Sequence, residues 1–122
     1  MTTPGGTEPQ TEGGGLVIDH SEFLECLHAR RCARVAFVSD KDGGAVRERV
    51  CAPMDYGPDR RASDKTDRYH LFDLEKRHPL KKFGHEIVRL EAMDESFDPS
   101  SFVTWDTRTH PWWVARDWGA YS

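Results

Sequence analysis

The chain has 122 residues, of which 37% are hydrophobic and 31% are charged, and its formal net charge at pH 7 is −4. A chain of this length can enclose one modest hydrophobic core, so we expect a single domain. The composition excludes a membrane-spanning helix, because no stretch approaches the roughly 20 consecutive apolar residues that are needed to cross a bilayer.

The first 15 residues are rich in Gly, Thr, Pro and Glu and contain no apolar run. Such a segment cannot bury enough surface to offset the entropy lost on ordering it. We therefore expect a disordered tail over residues 1–15 and one domain over residues 16–122. The tail also lacks the basic and apolar parts of a signal peptide, which favours a cytoplasmic protein.

A helix is predicted over residues 20–31. Asp19 and Glu22 have the spacing of a capping box, in which the side chain of each residue accepts a hydrogen bond from the backbone N–H group of the other. Apolar residues then recur at helical spacing, at Phe23, Leu24 and Leu27. A helix this short needs a sheet to pack against.

After the helix the apolar pattern changes to alternation, which is typical of strands. Five strands are predicted, over residues 34–38, 46–51, 68–74, 80–83 and 86–93. Gly43 and Gly44 mark a hairpin turn, and Pro53 is expected to end the second strand before a polar loop over residues 56–67. One helix and five short strands predict a mainly β, α+β fold, either a small bent sheet or a barrel.

The last part of the chain is predicted to be an aromatic extension over residues 104–122. Before it, Asp98 as N-cap and Pro99 at the first helical position predict one helical turn. A free segment with this aromatic content would be an exposed apolar patch, so it either docks on the domain or contacts a partner. The residues that would contact a partner are Trp112, Trp113 and Trp118.

The charges are distributed unevenly along the sequence. Residues 1–29 carry five acidic residues and no Lys or Arg, residues 30–82 carry 14 basic and 9 acidic residues, and residues 83–122 carry 3 basic and 7 acidic residues. A basic middle third in an acidic protein is typical of a face for an anionic ligand, or of a solvated exterior whose charges are paired in space.

The third strand and the residues after it combine aromatic and cationic side chains. Alternation places Tyr69 on one face of that strand and His70 on the other. Both rings can stack on flat groups, and the nearby cations Arg68, Lys81 and Lys82 can bind phosphate. The same alternation is also what the core of a small barrel requires, so the residues alone leave both interpretations open.

No pattern indicates catalysis or a resident metal. The sequence has no HxH, HExxH or CxxC motif, no nucleophile elbow and no phosphate-binding glycine loop. Cys26, Cys32 and Cys51 are expected to be reduced, structural thiols. We therefore expect a non-enzymatic protein without a cofactor, while an enzyme remains the weakest of three hypotheses.

The order of several short segments resembles WYL domains, a bacterial family named for a Trp-Tyr-Leu tripeptide in a central strand. The segments are Arg49-x-Cys51-x-Pro53, Tyr56-Gly57, Arg68–Asp73, Ile87–Glu91 and Asp94–Phe97. The resemblance covers roughly residues 20–103. It implies an Sm-like, SH3-type barrel with an N-terminal helix, and a regulatory module that senses nucleic-acid or nucleotide ligands beside a winged-helix DNA-binding domain.

By this resemblance Tyr69-His70-Leu71 stands where the naming tripeptide stands, and Arg49 lies on the preceding strand. The family's later arginine-containing segment corresponds to residues 80–86, which carry lysines here. The first 15 residues cannot form a winged helix, so we expect a stand-alone module that acts in transcription regulation.

The predicted function is binding of a nucleic-acid strand or a nucleotide-like anion through one basic, aromatic face. That face is predicted to contain Arg49, Arg68, Tyr69, His70, Lys81 and Lys82. The alternative is a protein-interaction module that uses the tryptophan-rich extension.

Overall fold

The computed structural model describes residues 20–122, and the expected disordered tail and Asp19 lie outside this range. One helix, α1 (His20–Ala29), is followed by five strands. These are β1 (Arg31–Ser39), β2 (Ala45–Pro58), β3 (Asp67–Asp73), β4 (His78–Lys82) and β5 (Ile87–Ser96). The predicted mainly β fold with one N-terminal helix is confirmed.

The five strands form one antiparallel sheet in the order β4-β3-β2-β1-β5. Because β4 and β5 lie at opposite edges and do not pair, the sheet is open and is not closed into a barrel. Of the two architectures that the sequence allowed, the sheet is right and the barrel is wrong. Register shifts in the β1–β5 and β2–β3 pairs interrupt the regular ladder, as β-bulges do.

Helix α1 covers the centre of the sheet with one apolar face. Phe23, Cys26 and Leu27 are buried at the predicted helical spacing, and Phe23 meets Tyr69 of β3 with their ring centroids 4.7 Å apart. The helix ends at Ala29 because Arg30 adopts a left-handed backbone conformation with φ of 58°. The core therefore lies between α1 and the strands.

The largest departure from the sequence prediction concerns β2, which continues for seven residues beyond its expected end at Cys51. Pro53 pairs with Leu71 of β3 and does not end the strand. The β1–β2 pairing stops at Cys51, so beyond that residue β2 has a partner on one side and the missing N–H of Pro53 is not needed on the other. Residues 56–58, predicted as loop, belong to this extension.

The aromatic extension over residues 104–122, called the C-terminal strap below, is docked on the domain. The Trp118 side chain is 2% exposed, and its Nε1 donates a hydrogen bond to the backbone oxygen of Leu27 at 2.9 Å. Its ring also packs against Phe97 and Phe102. Just before the strap, the predicted helical turn is present as a 3-10 turn over Pro99–Ser101, capped by the Asp98 side chain.

No helix among residues 20–122 is long and apolar enough to cross a membrane.

Candidate ligand-binding pocket

A pocket of about 590 Å³ lies between the β2–β3–β4 end of the sheet and the C-terminal strap. Its aromatic lining comes from both sides, with Phe72 on β3 and Trp105, Trp112 and Trp113 on the strap. Its cations are Arg60, Arg61 and Lys81. This volume lies within the range of about 300–1,000 Å³ that is usual for small-molecule sites.

The floor of the pocket is set by strand register. His70 of β3 pairs with Asp55 of β2 on one side and with Lys81 of β4 on the other. Directly paired residues point to the same face, so all three side chains lie on one side of the sheet. Phe72 follows two residues later on the same face and stacks on Phe102, with ring centroids 5.0 Å apart.

His70 is buried at the floor of the pocket and hydrogen-bonded to β2. Its Nε2 lies 2.9 Å from the backbone oxygen of Gly57. A carbonyl oxygen only accepts hydrogen bonds, so Nε2 carries a proton and donates a hydrogen bond to this oxygen. Burial lowers the pKa of His70 from its ordinary value, because the charged form loses hydration.

One buried ion pair fastens the strap to β2. Asp55 accepts hydrogen bonds from the backbone N–H groups of Trp113 and Val114, each at 2.9 Å, and its Oδ1 lies 3.1 Å from Nη2 of Arg116. The Arg116 side chain is completely buried. Its guanidinium carbon lies 4.0 Å from the ring centre of Trp112 and 4.4 Å from that of Trp118.

Charge compensation explains why this buried arrangement is tolerated. Burial lowers the pKa of Arg116 to about 10, which still leaves the guanidinium charged at neutral pH. Asp55 neutralises it, and Arg116 also donates to the backbone oxygen of Met54. Both partners of this buried pair are therefore hydrogen-bonded, and the pair joins the strap to β2.

The aromatic rings that line the pocket differ in whether a face is free to stack on a ligand. Arg116 covers Trp112, Arg60 lies 4.0 Å from the centre of Trp113, and Phe72 is stacked on Phe102. Trp105 is 37% exposed and meets Trp112 at an interplanar angle of 65°. Among the described residues, no cation covers Trp105 and no ring stacks parallel to it, so Trp105 offers the open stacking surface.

The cations that line the pocket differ in whether they already have a hydrogen-bonding or ion-pair partner in the protein. Arg60 donates a hydrogen bond to the backbone oxygen of Pro111 at 2.6 Å, and Lys81 lies 3.2 Å from Asp59. Arg61 is exposed, and its guanidinium has no ion pair or hydrogen bond within residues 20–122. The pocket therefore presents one uncommitted guanidinium and a lysine that shares its charge with one carboxylate.

The six residues predicted for one binding face do not meet on one surface. His70 and Lys81 line the pocket, whereas Arg49 and Lys82 line a separate cleft. Tyr69 is 0% exposed, and its hydroxyl lies 2.8 Å from Nδ1 of His20. The Tyr69 ring packs between Phe23 and Tyr56 in the core and presents no free face to a ligand.

The Arg68 side chain is hydrogen-bonded to the loop that precedes β3. Its Nη1 donates to the backbone oxygens of Asp64 and Thr66, and its guanidinium carbon lies 4.4 Å from the centre of the Phe83 ring. The side chain is only 12% exposed. Arg68 thus holds residues 64–66 against the beginning of β3.

The three tryptophans named for a partner contact are also divided. Trp112 and Trp113 line the pocket, whereas Trp118 is part of the core. Sequence reasoning missed Trp105, Arg60 and Arg61. Arg60 and Arg61 are adjacent cations in a charge-rich loop, which is a signal, but only the docked strap shows that the loop faces Trp105 and Trp113.

The cysteines and histidines of residues 20–122 belong to no metal-binding cluster. No three His, Cys, Asp or Glu side chains among residues 20–122 are grouped to hold a metal ion. The three cysteines are free and buried, and burial raises the pKa of the Cys51 thiol well above its usual value.

Comparison with known proteins gives one structural similarity. No protein-family model matches the chain, and no curated protein matches it. The fold is similar to part of Proteasome accessory factor B/C (PafBC) of Arthrobacter aurescens, with a TM-score of 0.53 and 16% sequence identity. The match covers 70% of this chain but only 13% of PafBC, and at this identity it shows the fold alone.

Proposed function

We propose that the protein is a WYL-like regulatory binding module whose pocket takes a compact, planar, anionic ligand of the nucleotide type. In this proposal the flat part of the ligand stacks on Trp105 and its phosphate is held by Arg61 and Lys81. The observation that carries the proposal is the juxtaposition of an uncovered tryptophan and an uncommitted guanidinium in one pocket.

The charge balance of the pocket supports an anionic ligand. Asp55 is neutralised by Arg116, and Asp59 is paired with Lys81, so neither carboxylate opposes an incoming phosphate with a full uncompensated charge. Arg61 adds an unpaired cation. Guanidinium groups bind phosphate through two parallel hydrogen bonds, which gives direction as well as attraction.

The resemblance of the sequence segments to WYL domains supports the regulatory part of the proposal. The similarity to a segment of PafBC is compatible with a WYL-like fold, which the order of sequence segments also indicates. The ligand class comes from the pocket itself. Its volume is that of a small-molecule site, so a longer strand would bind here through one end or one extruded base.

Binding can be measured by titrating the purified protein with mononucleotides and short single-stranded oligonucleotides while tryptophan emission is recorded. All four tryptophans lie between residues 105 and 118, so a ligand in the pocket changes the signal. We expect Trp105→Ala to weaken binding by about fivefold or more, since stacking on an aromatic ring is worth about 1–3 kcal/mol per base.

Arg61→Gln should weaken binding in a salt-dependent way, because it removes a phosphate contact. The matched control is Lys65→Gln, which removes one positive charge from the same loop outside the pocket. Equal weakening by Arg61→Gln and Lys65→Gln would contradict a specific site, as would the absence of any binding at low salt.

A second candidate function, a protein contact through the strap, is favoured by the exposure of Trp105 and Trp113, which are 37% and 45% exposed. Trp118 is not available for such a contact because it is in the core. A partner would therefore cover the rim of the same pocket. Co-purification that is lost in Trp105→Ala, with no nucleotide binding by the wild-type protein, would support this candidate.

A further inference from the structure

We propose that a separate cationic cleft, on the other side of β4 from the pocket, is a second site that binds phosphoryl groups. The cleft has a volume of about 370 Å³ and is lined by the cations Lys41, Arg47, Arg49, Lys76 and Lys82. Two of its cations, Lys41 and Lys76, lie in the chain between β1 and β2 and between β3 and β4, respectively. This site is independent of the pocket proposed above.

Most of the acidic groups in the cleft are already committed. Asp42 accepts from Arg47 Nε at 3.0 Å and from Ser39 Oγ at 2.9 Å, and the hydrogen bond from Arg47 lowers the pKa of Asp42 to about 2. Asp73 is nearly fully buried and accepts from the backbone N–H groups of Glu75 and Lys76.

The same Asp73 carboxylate lies 3.7 Å from the guanidinium of Arg49, which completes its contacts. Asp40 is the remaining carboxylate in the lining. Five cationic side chains against three carboxylates leave the cleft with a net charge of +2, with His78 counted as neutral. The field in the cleft therefore attracts anions.

Two ammonium groups are free to bind a ligand. Lys82 Nζ donates to the backbone oxygen of Val38 at 2.8 Å, and so helps to fix the cleft wall. The Nζ groups of Lys41 and Lys76 have no ion pair or hydrogen bond within residues 20–122. A concave site with two free ammoniums and two guanidiniums near its walls matches a group with several charged oxygens, such as a phosphate.

The cleft and the pocket lie on opposite faces of β4. Lys81 lines the pocket and Lys82 lines the cleft, because consecutive residues of a strand point to opposite faces. They belong to β4, an edge strand of the sheet. A nucleic-acid strand that crosses this edge would meet cations on both faces, whereas a free polyphosphate would occupy the cleft alone.

The test measures binding of inorganic tripolyphosphate and, separately, of an eight-nucleotide single strand by calorimetry at low salt. The variant is Lys41→Gln/Lys76→Gln, and the matched control is Arg34→Gln/Arg108→Gln, which removes two positive charges from exposed positions that line neither the pocket nor the cleft. Circular dichroism and thermal unfolding confirm that each variant is folded.

We expect the Lys41→Gln/Lys76→Gln variant to lose about fivefold or more in affinity for at least one of the two ligands, while the control changes little. A loss for tripolyphosphate identifies a site for free phosphoryl anions, and a loss for the oligonucleotide alone identifies a site for backbone phosphates. Equal losses in both variants, or no loss for either ligand, would overturn the proposal.

A third variant distinguishes failure of the cleft proposal from failure of the pocket proposal. Trp105→Ala removes the stacking surface of the pocket and leaves the cleft intact, so tripolyphosphate should bind this variant as it binds the wild type. Reduced tripolyphosphate binding in Trp105→Ala would also count against a separate cleft.

Discussion

His70 links the pH of the solution to the stability of the sheet. Its pKa is lowered in the folded state by burial, whereas the unfolded chain takes up a proton at the ordinary value of about 6.5. As pH falls below that value, the unfolded state binds more protons than the folded state, so the free energy of unfolding decreases.

We therefore predict that stability measured by urea denaturation declines between pH 7.5 and 5.5 more steeply for the wild type than for His70→Gln. The matched control is His85→Gln, which removes one histidine from an exposed position. An unchanged slope in His70→Gln would show that another group dominates this pH range.

The residue scale also explains why the six residues predicted for one binding face lie on different surfaces. Alternation correctly separated Tyr69, which faces α1, from His70, which faces the pocket. The hypothesis then assigned both to one surface, which adjacent strand residues cannot share. The same rule divides Lys81 from Lys82.

At the scale of elements, the end of β2 meets the strap in unusually close contact. A Cβ atom built at Gly57 would lie 2.5 Å from Cγ and Cδ1 of the Trp113 ring, which is too close for a side-chain atom. Trp113 is held there by its Nε1, which donates to the backbone oxygen of Pro58 at 2.9 Å. Only a glycine lets the strap approach β2 this closely.

We predict that Gly57→Ala pushes Trp113 away from β2 and lowers the free energy of unfolding by about 1–3 kcal/mol, as overpacking does. The measurement is urea denaturation together with the accessibility of tryptophan to a quencher. In a double-mutant cycle, Trp113→Ala should remove most of the cost of Gly57→Ala. Additive effects of the two substitutions would show that the clash is relieved elsewhere.

The boundaries of elements were predictable where a local signal decides them. The turn at Gly43-Gly44 and the capped turn at Asp98-Pro99 are both present. The end of β2 was not predictable, because a proline normally excluded from a central strand is tolerated where one neighbouring strand has already ended. That condition depends on tertiary pairing and leaves no mark in the local sequence.

At the scale of the whole molecule, the strap is part of the hydrophobic core as well as a wall of the pocket. We predict that Trp118→Ala lowers the free energy of unfolding by about 3–5 kcal/mol, because it leaves a cavity and removes the donor to Leu27. Trp105→Ala is the matched control on an exposed tryptophan and should cost far less. Similar costs for both, measured by urea denaturation, would mean that the strap is not anchored through Trp118.

The fold class was predictable because it follows from patterns that repeat along the chain, namely one helical period and five alternating segments. The pocket was not, since it forms where the loop carrying Arg60 and Arg61 meets Trp105 and Trp113 of the strap. The sequence left open whether the tryptophans pack in the core or contact a partner. The structure places Trp118 in the core and leaves Trp105 open, a division that composition cannot show.

The separation of these contacts along the chain has a consequence for the order of folding. Asp55 bonds to the backbone of Trp113, 58 positions later, and Trp118 bonds to Leu27, 91 positions earlier. Closing loops of this length costs conformational entropy before the contacts form, which slows folding. Because the pocket needs the strap in place, we expect ligand binding to appear only after these long-range contacts have formed, so that binding reports a completely folded molecule.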